Sequence, residues 1–296
     1  MADYGIELIE KKLREKILNE LTRASLLFRL HSRIKENTSI KEKSERKGYK
    51  PDGKLMQDLI GFRITTYFND DIKVVVEICK KIFGDGELVY DEPDIEVFKP
   101  LRKNMVCKFP PEEFEIFMDL KNKKSDYEII DSTFEIQFRT TLSEGWHEVD
   151  HNLRYKCKDD WADLNNESRM LNGIYASLET SDQTLKALFE DISYHHYKAK
   201  RWEALIRNKF RLRFLNQPLD DKLSAIFNDN LEIGKVLFKL NRDKVIDCFV
   251  NSALSFPMSF NSLIYFINYF FIRNDKIKAL TPEVLLNEFE LCEQEK

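Results

Sequence analysis

Residues 133–140 read Thr-Phe-Glu-Ile-Gln-Phe-Arg-Thr, and this alternation constrains the fold more than any other stretch of the chain. Phe134, Ile136 and Phe138 point one way while Glu135, Gln137 and Arg139 point the other, which is the two-residue period of a half-buried strand. Leu59 to Phe68 repeats the pattern, with Ile60, Phe62, Ile64 and Phe68 on one face and Arg63 and Thr65 on the other. Two strands therefore each bury an apolar face and display charges opposite it. Helical periodicity surrounds them. Ile6, Ile9, Leu13, Ile17, Leu21 and Leu27 predict one or two amphipathic helices over residues 6–34, the last carrying Arg33 and Lys35 at its end. Val74, Val75, Ile78 and Ile82 predict a helix over 71–83, and the charged stretch from Lys41 to Lys50 reads as a loop. Leu88–Val89, Ile95–Phe98 and Met105–Phe109 are short strand candidates. The order of elements predicts an α/β fold, a mixed sheet flanked by helices. After Trp146 the chain reads as helical to its end, with breaks near Asn165, Pro218 and Pro257. The expected division is a first domain over residues 1–200 and an all-helical extension over 201–296.

Composition sets limits on this reading. A chain of 296 residues with 43% hydrophobic and 33% charged residues has enough apolar side chain for a sizeable core and is not a disordered polyelectrolyte. Its net charge of −4 excludes wholesale coating of nucleic acid and leaves room for local basic clusters. No apolar run reaches the length of a membrane span, and residues 1–10 carry acids with no apolar signal core, so no membrane partner is expected. Cys79, Cys107, Cys157, Cys248 and Cys292 are scattered and odd in number, which suits reduced thiols in a cytoplasm.

The chemistry concentrates in three segments. Arg33, Lys35, Ser39, Ile40 and Lys43 form an R-x-K-x-x-x-S-I-x-x-K run; Asp58 opens Asp-Leu-Ile-Gly-Phe-Arg; Glu135 opens Glu-Ile-Gln-Phe-Arg-Thr. Bound polyphosphate with magnesium needs cations for the phosphate oxygens and hard carboxylate oxygens for the ion, and the run and the two carboxylates provide both. In this order the segments resemble the synthetase domain of the RelA/SpoT alarmone synthetases, over roughly Leu27 to Lys156, continuing into Glu144-Gly145-Trp146, His151 and Tyr155-Lys156. The resemblance implies a nucleotidyltransferase-like core and a pyrophosphokinase that moves pyrophosphate from ATP to the 3′-hydroxyl of a guanine nucleotide. It implies that Arg33 lies against adenine, that Lys35, Ser39 and Lys43 serve the ATP phosphates, and that Asp58 and Glu135 hold Mg2+. Glu135 would also help take the proton of the attacking hydroxyl. Arg63 is a further ATP contact by this reading, and Arg102, Gln137, Arg139, His151 and Lys156 lie at the acceptor or support it.

Two departures complicate the resemblance. His147-Glu148-Val149-Asp150-His151 is a literal H-E-x-x-H, the zinc-peptidase signature, without the third ligand of its extended form. The family's own tryptophan–acid–histidine–Tyr-Lys pattern accounts for Trp146, Glu148, His151, Tyr155 and Lys156 without zinc, and a zinc peptidase is the remote alternative. Synthetases of the family also carry N-G-Y-x-S-x-H after a Lys-Pro pair, and its tyrosine stacks on the acceptor guanine. Here Lys99-Pro100 is followed by Leu-Arg-Lys-Asn-Met-Val-Cys-Lys, with no tyrosine, serine or histidine. Phe98 or Arg102 would have to stack instead, the acceptor is a different one, or the chain is an inactive nucleotide- or partner-binding module. Toxic members of the family, some in phage defence, place pyrophosphate on the 3′ end of tRNA. The cations Lys198, Lys200, Arg201, Arg207, Lys209, Arg211 and Arg213, interleaved with Trp202 and Phe210, are a candidate RNA footprint. The same helix could instead pack Trp202, Leu205, Ile206 and Phe210 into a C-terminal bundle. The aromatic-rich remainder offers a helical core or a surface for an antitoxin or other protein partner.

Overall fold

Five strands form one mixed sheet in a computed structural model that describes residues 4–91, 103–252 and 254–294. They are β1 (Phe28–Ile34), β2 (Ile60–Thr66), β3 (Glu87–Tyr90), β4 (Lys103–Lys108) and β5 (Thr133–Thr140), in the spatial order β1-β2-β5-β4-β3. β2 and β5 run parallel at the centre, and every other neighbour is antiparallel. The two strands with the clearest alternation are therefore the central pair. A strand with neighbours on both sides most needs one consistent apolar face.

That face is closed by helices. Phe62, Ile64, Phe134, Ile136 and Phe138 are buried, as are Ile9, Leu13 and Ile17 of α1 (Tyr4–Arg23), Val75 and Ile78 of α3 (Asp71–Phe83) and Phe117 of α4 (Pro111–Lys123). Phe134 is the hub: its ring meets Phe62 at 5.7 Å and Phe83 at 4.9 Å edge-on, and stacks on Phe109 at 5.8 Å. Glu113 of α4 is fully buried and is held by Lys16 of α1 through both carboxylate oxygens, at 2.7 and 2.8 Å.

Two expectations need correction. Residues 28–34 are a strand, so Arg33 lies in β1 and Lys35 just beyond it, not at the end of a helix. The apolar spacing of the helix continues to Leu27, but α1 ends at Arg23; pairing with β2 decides the conformation of Phe28-Arg-Leu-His-Ser-Arg-Ile, where every second side chain faces the core. The charged segment read as a loop is largely helix α2 (Asn37–Lys47), closed by Gly48 in the left-handed conformation at φ 66°. Ile40 is the one buried residue of α2, so no apolar stripe announced it. Ile95–Phe98 and Arg102 lie outside the described residues.

The chain divides into two compact units, one of residues 1–20 and 28–183, the other of 21–27 and 184–296. The first also holds α5 (Thr141–Val149), a π-helical turn over Asp150–Tyr155 and the start of α6 (Asn165–Lys198). The second is helical: the end of α6, then α7 (Trp202–Phe210), α8 (Asp221–Asp229), α9 (Leu231–Lys239), α10 (Arg242–Asn251), α11 (Phe260–Ile267), α12 (Asp275–Leu280) and α13 (Glu283–Gln294). Its core contains Trp202, Leu205, Ile206, Phe210, Phe227, Phe266 and Phe289. The basic stretch from Lys198 to Arg213 is not one helix. α6 ends at Lys198, Lys200 takes a left-handed turn, and Arg211 does so again after α7. Lys209 donates to the Phe238 carbonyl at 2.6 Å, Arg211 is buried, and Arg207 pairs with Glu203 at 2.5 Å. No helix among the described residues is long and apolar enough to cross a membrane.

Candidate active site

The face of the sheet opposite the core carries the charges. Strand register sets Arg33, Gly61 and Glu135 side by side in one row, and His31, Arg63, Gln137 and Asn104 in the next. Cross-strand partners share a face, so these side chains stand on the same surface. At about 4.8 Å per strand, the Cα atoms of Arg33 and Glu135 lie about 10 Å apart across Gly61. A Cβ on Gly61 would touch the Arg33 side chain at 3.7 Å, so the guanidinium arm lies along the glycine.

β1 continues one step beyond its last residue, because the Lys35 amide donates to the Leu59 carbonyl at 2.9 Å. This brings Lys35 beside Asp58. Helix α2 follows at once and presents Ser39 and Lys43, four residues apart, on one face. Lys35 Nζ and Lys43 Nζ both donate to Asp58 Oδ2, each at 2.6 Å. Burial opposes the charge of all three groups. The two ammonium groups nevertheless hold the Asp58 carboxyl below the usual carboxylate range. Burial outweighs Asp58 at Lys35, whose ammonium is pulled down, whereas Lys43 is raised by its bond to Asp58. The other carboxylate oxygen, Asp58 Oδ1, is buried and accepts no hydrogen bond from the described residues.

Around this triad opens a cleft of about 800 Å³. Arg33, Lys35, Ser39, Lys43 and Asp58 line it together with His151, Tyr155 and Lys156, as do Arg46, Lys47 and Tyr49, which sequence reasoning did not single out. Six of these residues are lysine or arginine; Glu36, Glu42 and Asp58 are the acids. A cleft of this charge and size suits a polyphosphate.

Glu135 does not line that cleft and stands beyond Gly61 on the same face. Its two carboxylate oxygens accept from Asn104 Nδ2 at 2.7 Å and Gln137 Nε2 at 3.3 Å. Asn104, on β4, escaped sequence reasoning because only the strand register reveals it. Arg63 also stands apart from the cleft. It donates to Gln137 at 3.2 Å, to Glu144 of α5 at 2.5 Å, and to Glu148. Burial works against its charge, and Glu148 and Glu144 more than offset this.

Residues 32–160 match the family described as the region found in RelA / SpoT proteins. The match covers less than half of the chain, and it is to this stretch that the likeness to RelA / SpoT proteins belongs. No curated protein matches the chain. Among solved structures, small alarmone synthetase 1 from Bacillus subtilis is 21% identical, over 62% of this chain and 92% of that one, with a TM-score of 0.44. A GTP pyrophosphokinase family protein from Streptococcus pneumoniae is also 21% identical, over 64% and 90%, with a TM-score of 0.47. A protein from Streptococcus mutans gives the same identity and TM-score over 64% and 94%.

Within the matched stretch, the H-E-x-x-H residues part company. The α-helix ends at Val149 and the π-helical turn begins at Asp150, and the two histidines line different cavities. His151 lines the large cleft. His147 lines a separate cavity of about 50 Å³ with Arg139, Tyr175 and Asp182. Glu148, between them, is engaged by Arg63. Burial, with the charges of Arg139 and Arg63, pushes His147 down to about 3. Arg139 is itself buried and donates to the Phe138 carbonyl at 2.9 Å.

Proposed function

We propose that this chain transfers pyrophosphate from ATP to the 3′-hydroxyl of a ribose, on a guanine nucleotide or at the 3′ end of tRNA. The carrying observation is the Lys35–Asp58–Lys43 triad, set in one cation-rich cleft with Arg33, Ser39 and Lys156. Two ammonium groups on one carboxylate oxygen leave an excess of positive charge that a triphosphate would neutralise. Arg33 takes the adenine side, and Lys35, Lys43, Lys156 and the Ser39 hydroxyl take phosphate oxygens.

Magnesium fits these residues. Asp58 Oδ1 is a hard, buried oxygen with no hydrogen-bond partner among the described residues, and Glu135 stands on the polar face of the sheet as a second carboxylate. When bound, the ion would neutralise phosphate charge. Glu135, steadied by Asn104 and Gln137, accepts the proton of the acceptor hydroxyl. The hydroxyl oxygen then bonds to the β-phosphorus as the bond from that phosphorus to the α–β bridging oxygen breaks, and AMP leaves with the electron pair. Most of the rate comes from holding donor and acceptor in line and from preset charge.

The chemistry belongs to residues 1–200, and the helical extension over 201–296 offers a partner surface, an antitoxin's among others. A cytoplasmic setting suits ATP as donor. With Lys209 and Arg211 engaged inside the helical unit, the RNA footprint of the basic stretch is reduced. Incubation with γ-labelled ATP and GDP, GTP, ADP or bulk tRNA is the test. Label on a nucleotide or on tRNA identifies the acceptor. Absence of label on all of them, with ATP bound, would leave a nucleotide-binding module in place of an enzyme.

A further inference from the structure

Glu135 has unlike neighbours on its two sides. Towards β1 stands Gly61, which has no side chain, and beyond it Arg33 and the cation-rich cleft. Towards β4 stands Val106, its cross-strand partner, with Asn104 two residues earlier on the same face. The donor's phosphates belong to the β1 side, and in-line attack brings the acceptor from the side opposite the leaving AMP, which is that of β4. Asn104 is only 8% exposed, and half of its amide is in use. Its Nδ2 donates to Glu135 Oε1 at 2.7 Å, whereas Oδ1 is buried and accepts no hydrogen bond from the described residues. That oxygen is the other end of the amide that touches Glu135, so it lies beside the carboxylate. A buried carbonyl left without a donor is costly unless a ligand supplies one.

We propose that Asn104 holds the ribose of the acceptor: its Oδ1 takes the hydrogen bond of the 2′-hydroxyl while Glu135 takes the proton of the neighbouring 3′-hydroxyl. The inference rests on the transfer reading and adds to it the class of acceptor, a ribose end in preference to its 2′-deoxy counterpart. Three features support it. The two hydroxyls are vicinal on the sugar, and the Glu135 carboxylate and Asn104 Oδ1 are a matching pair of acceptors, tied together by the Asn104 N–H. The same bond fixes which end of the amide is left over. Turned about, the amide would set its oxygen against a carboxylate that has no proton to give. Val106, half-buried beside them, offers apolar surface to the carbon face of the sugar.

Paired acceptors test this with the donor unchanged. Label from γ-labelled ATP is followed to GDP and 2′-deoxy-GDP, and to tRNA ending in adenosine or in 2′-deoxyadenosine. In the pair it uses, the unaltered protein should favour the ribose member about tenfold in kcat/KM, the worth of one hydrogen bond. Asn104→Ala should slow both members, because Glu135 loses a donor, and should bring their ratio to about one. Asn104→Asp keeps an oxygen for the 2′-hydroxyl and should keep the ribose preference at a lower rate. Thermal melts establish that each variant is folded. Equal use of both members by the unaltered protein would overturn the proposal, and that comparison needs no variant. So would a preference that survives in folded Asn104→Ala, which would trace it to the effect of the 2′-hydroxyl on the acidity of its neighbour, or one that folded Asn104→Asp loses. A protein that labels no member of either pair would end the transfer reading and this assignment with it. A ribose preference indifferent to Asn104 would end the assignment alone.

Discussion

One polar face of the sheet carries two clusters of charge that are built in opposite ways. Around Asp58, two lysines share one carboxylate oxygen, the other oxygen has no hydrogen-bond partner among the described residues, and further cations line an open cleft. Around Arg63, one guanidinium is shared among Gln137, Glu144 and Glu148, so anions surround the cation. The first cluster has positive charge left over and an oxygen unsatisfied, which is costly in a folded protein unless a ligand completes it. The second pairs its one cation with two carboxylates from within, although Glu144 Oε2 is likewise buried without a hydrogen-bond partner among the described residues. What separates the two clusters is the excess of cations and the open cleft around Asp58, not an unsatisfied oxygen. Asp58 and Arg63 begin and end one short motif, yet they fall on opposite sides of that distinction.

The largest expected effect lies between the two clusters. Glu135→Gln removes one charge and almost no volume, and the amides of Asn104 and Gln137 remain beside it. Transfer should fall about a thousandfold, as for loss of a general base, while the melting temperature stays within a few degrees. Full activity in this variant would put the base elsewhere and remove Glu135 from the open half.

Next come the lysines of the open cluster. Lys35→Ala and Lys43→Ala should each raise the KM for ATP about tenfold to a hundredfold, the worth of one charge-assisted hydrogen bond. Their effects should not add, since both donate to the same Asp58 oxygen. Additive losses would mean that the triad does not act as a unit.

How far these clusters could be read in the sequence depends on what each depends on. β2, β5 and α3 were legible because each has an apolar face with a regular period. The cations of the cleft were legible because a short motif orders them. β1 was not, because the helical period of α1 runs on to Leu27 and only pairing with β2 ends it as structure. α2 was not, because it buries a single residue, and Arg46, Lys47 and Tyr49 were lost with it. Asn104 beside Glu135, and Glu144 and Glu148 on Arg63, depend on contacts between segments distant in the chain. No local pattern encodes such contacts.

A pH titration sharpens the contrast on the closed half. His147 is pushed down to about 3 by burial and by Arg139 and Arg63, against an ordinary value of about 6.5 in the unfolded chain. Below that ordinary value the unfolded state takes up a proton that the folded state refuses. Stability should therefore decline as the pH falls from about 6.5 towards 3. His147→Gln, which cannot titrate, should flatten that part of the profile in chemical denaturation. An unchanged slope would place the acid sensitivity elsewhere, with the carboxylates.

The smallest effect tests whether the closed half is only scaffold. Glu148 is about half exposed, with a side-chain accessibility of 49%, so water screens its pairing with Arg63. Glu144 is the better buried partner, at 23%. Glu148→Gln keeps a hydrogen-bonding group of nearly the same shape, and Arg63 retains Glu144 and Gln137. The expected cost is about 1 kcal/mol or less in denaturation, with the KM for ATP unchanged. If the substitution instead tightens ATP binding severalfold, Arg63 is a cation that Glu148 withholds from the donor. The closed cluster would then be a latch on the open one, and the two halves of the polar face would have to be treated as a single site.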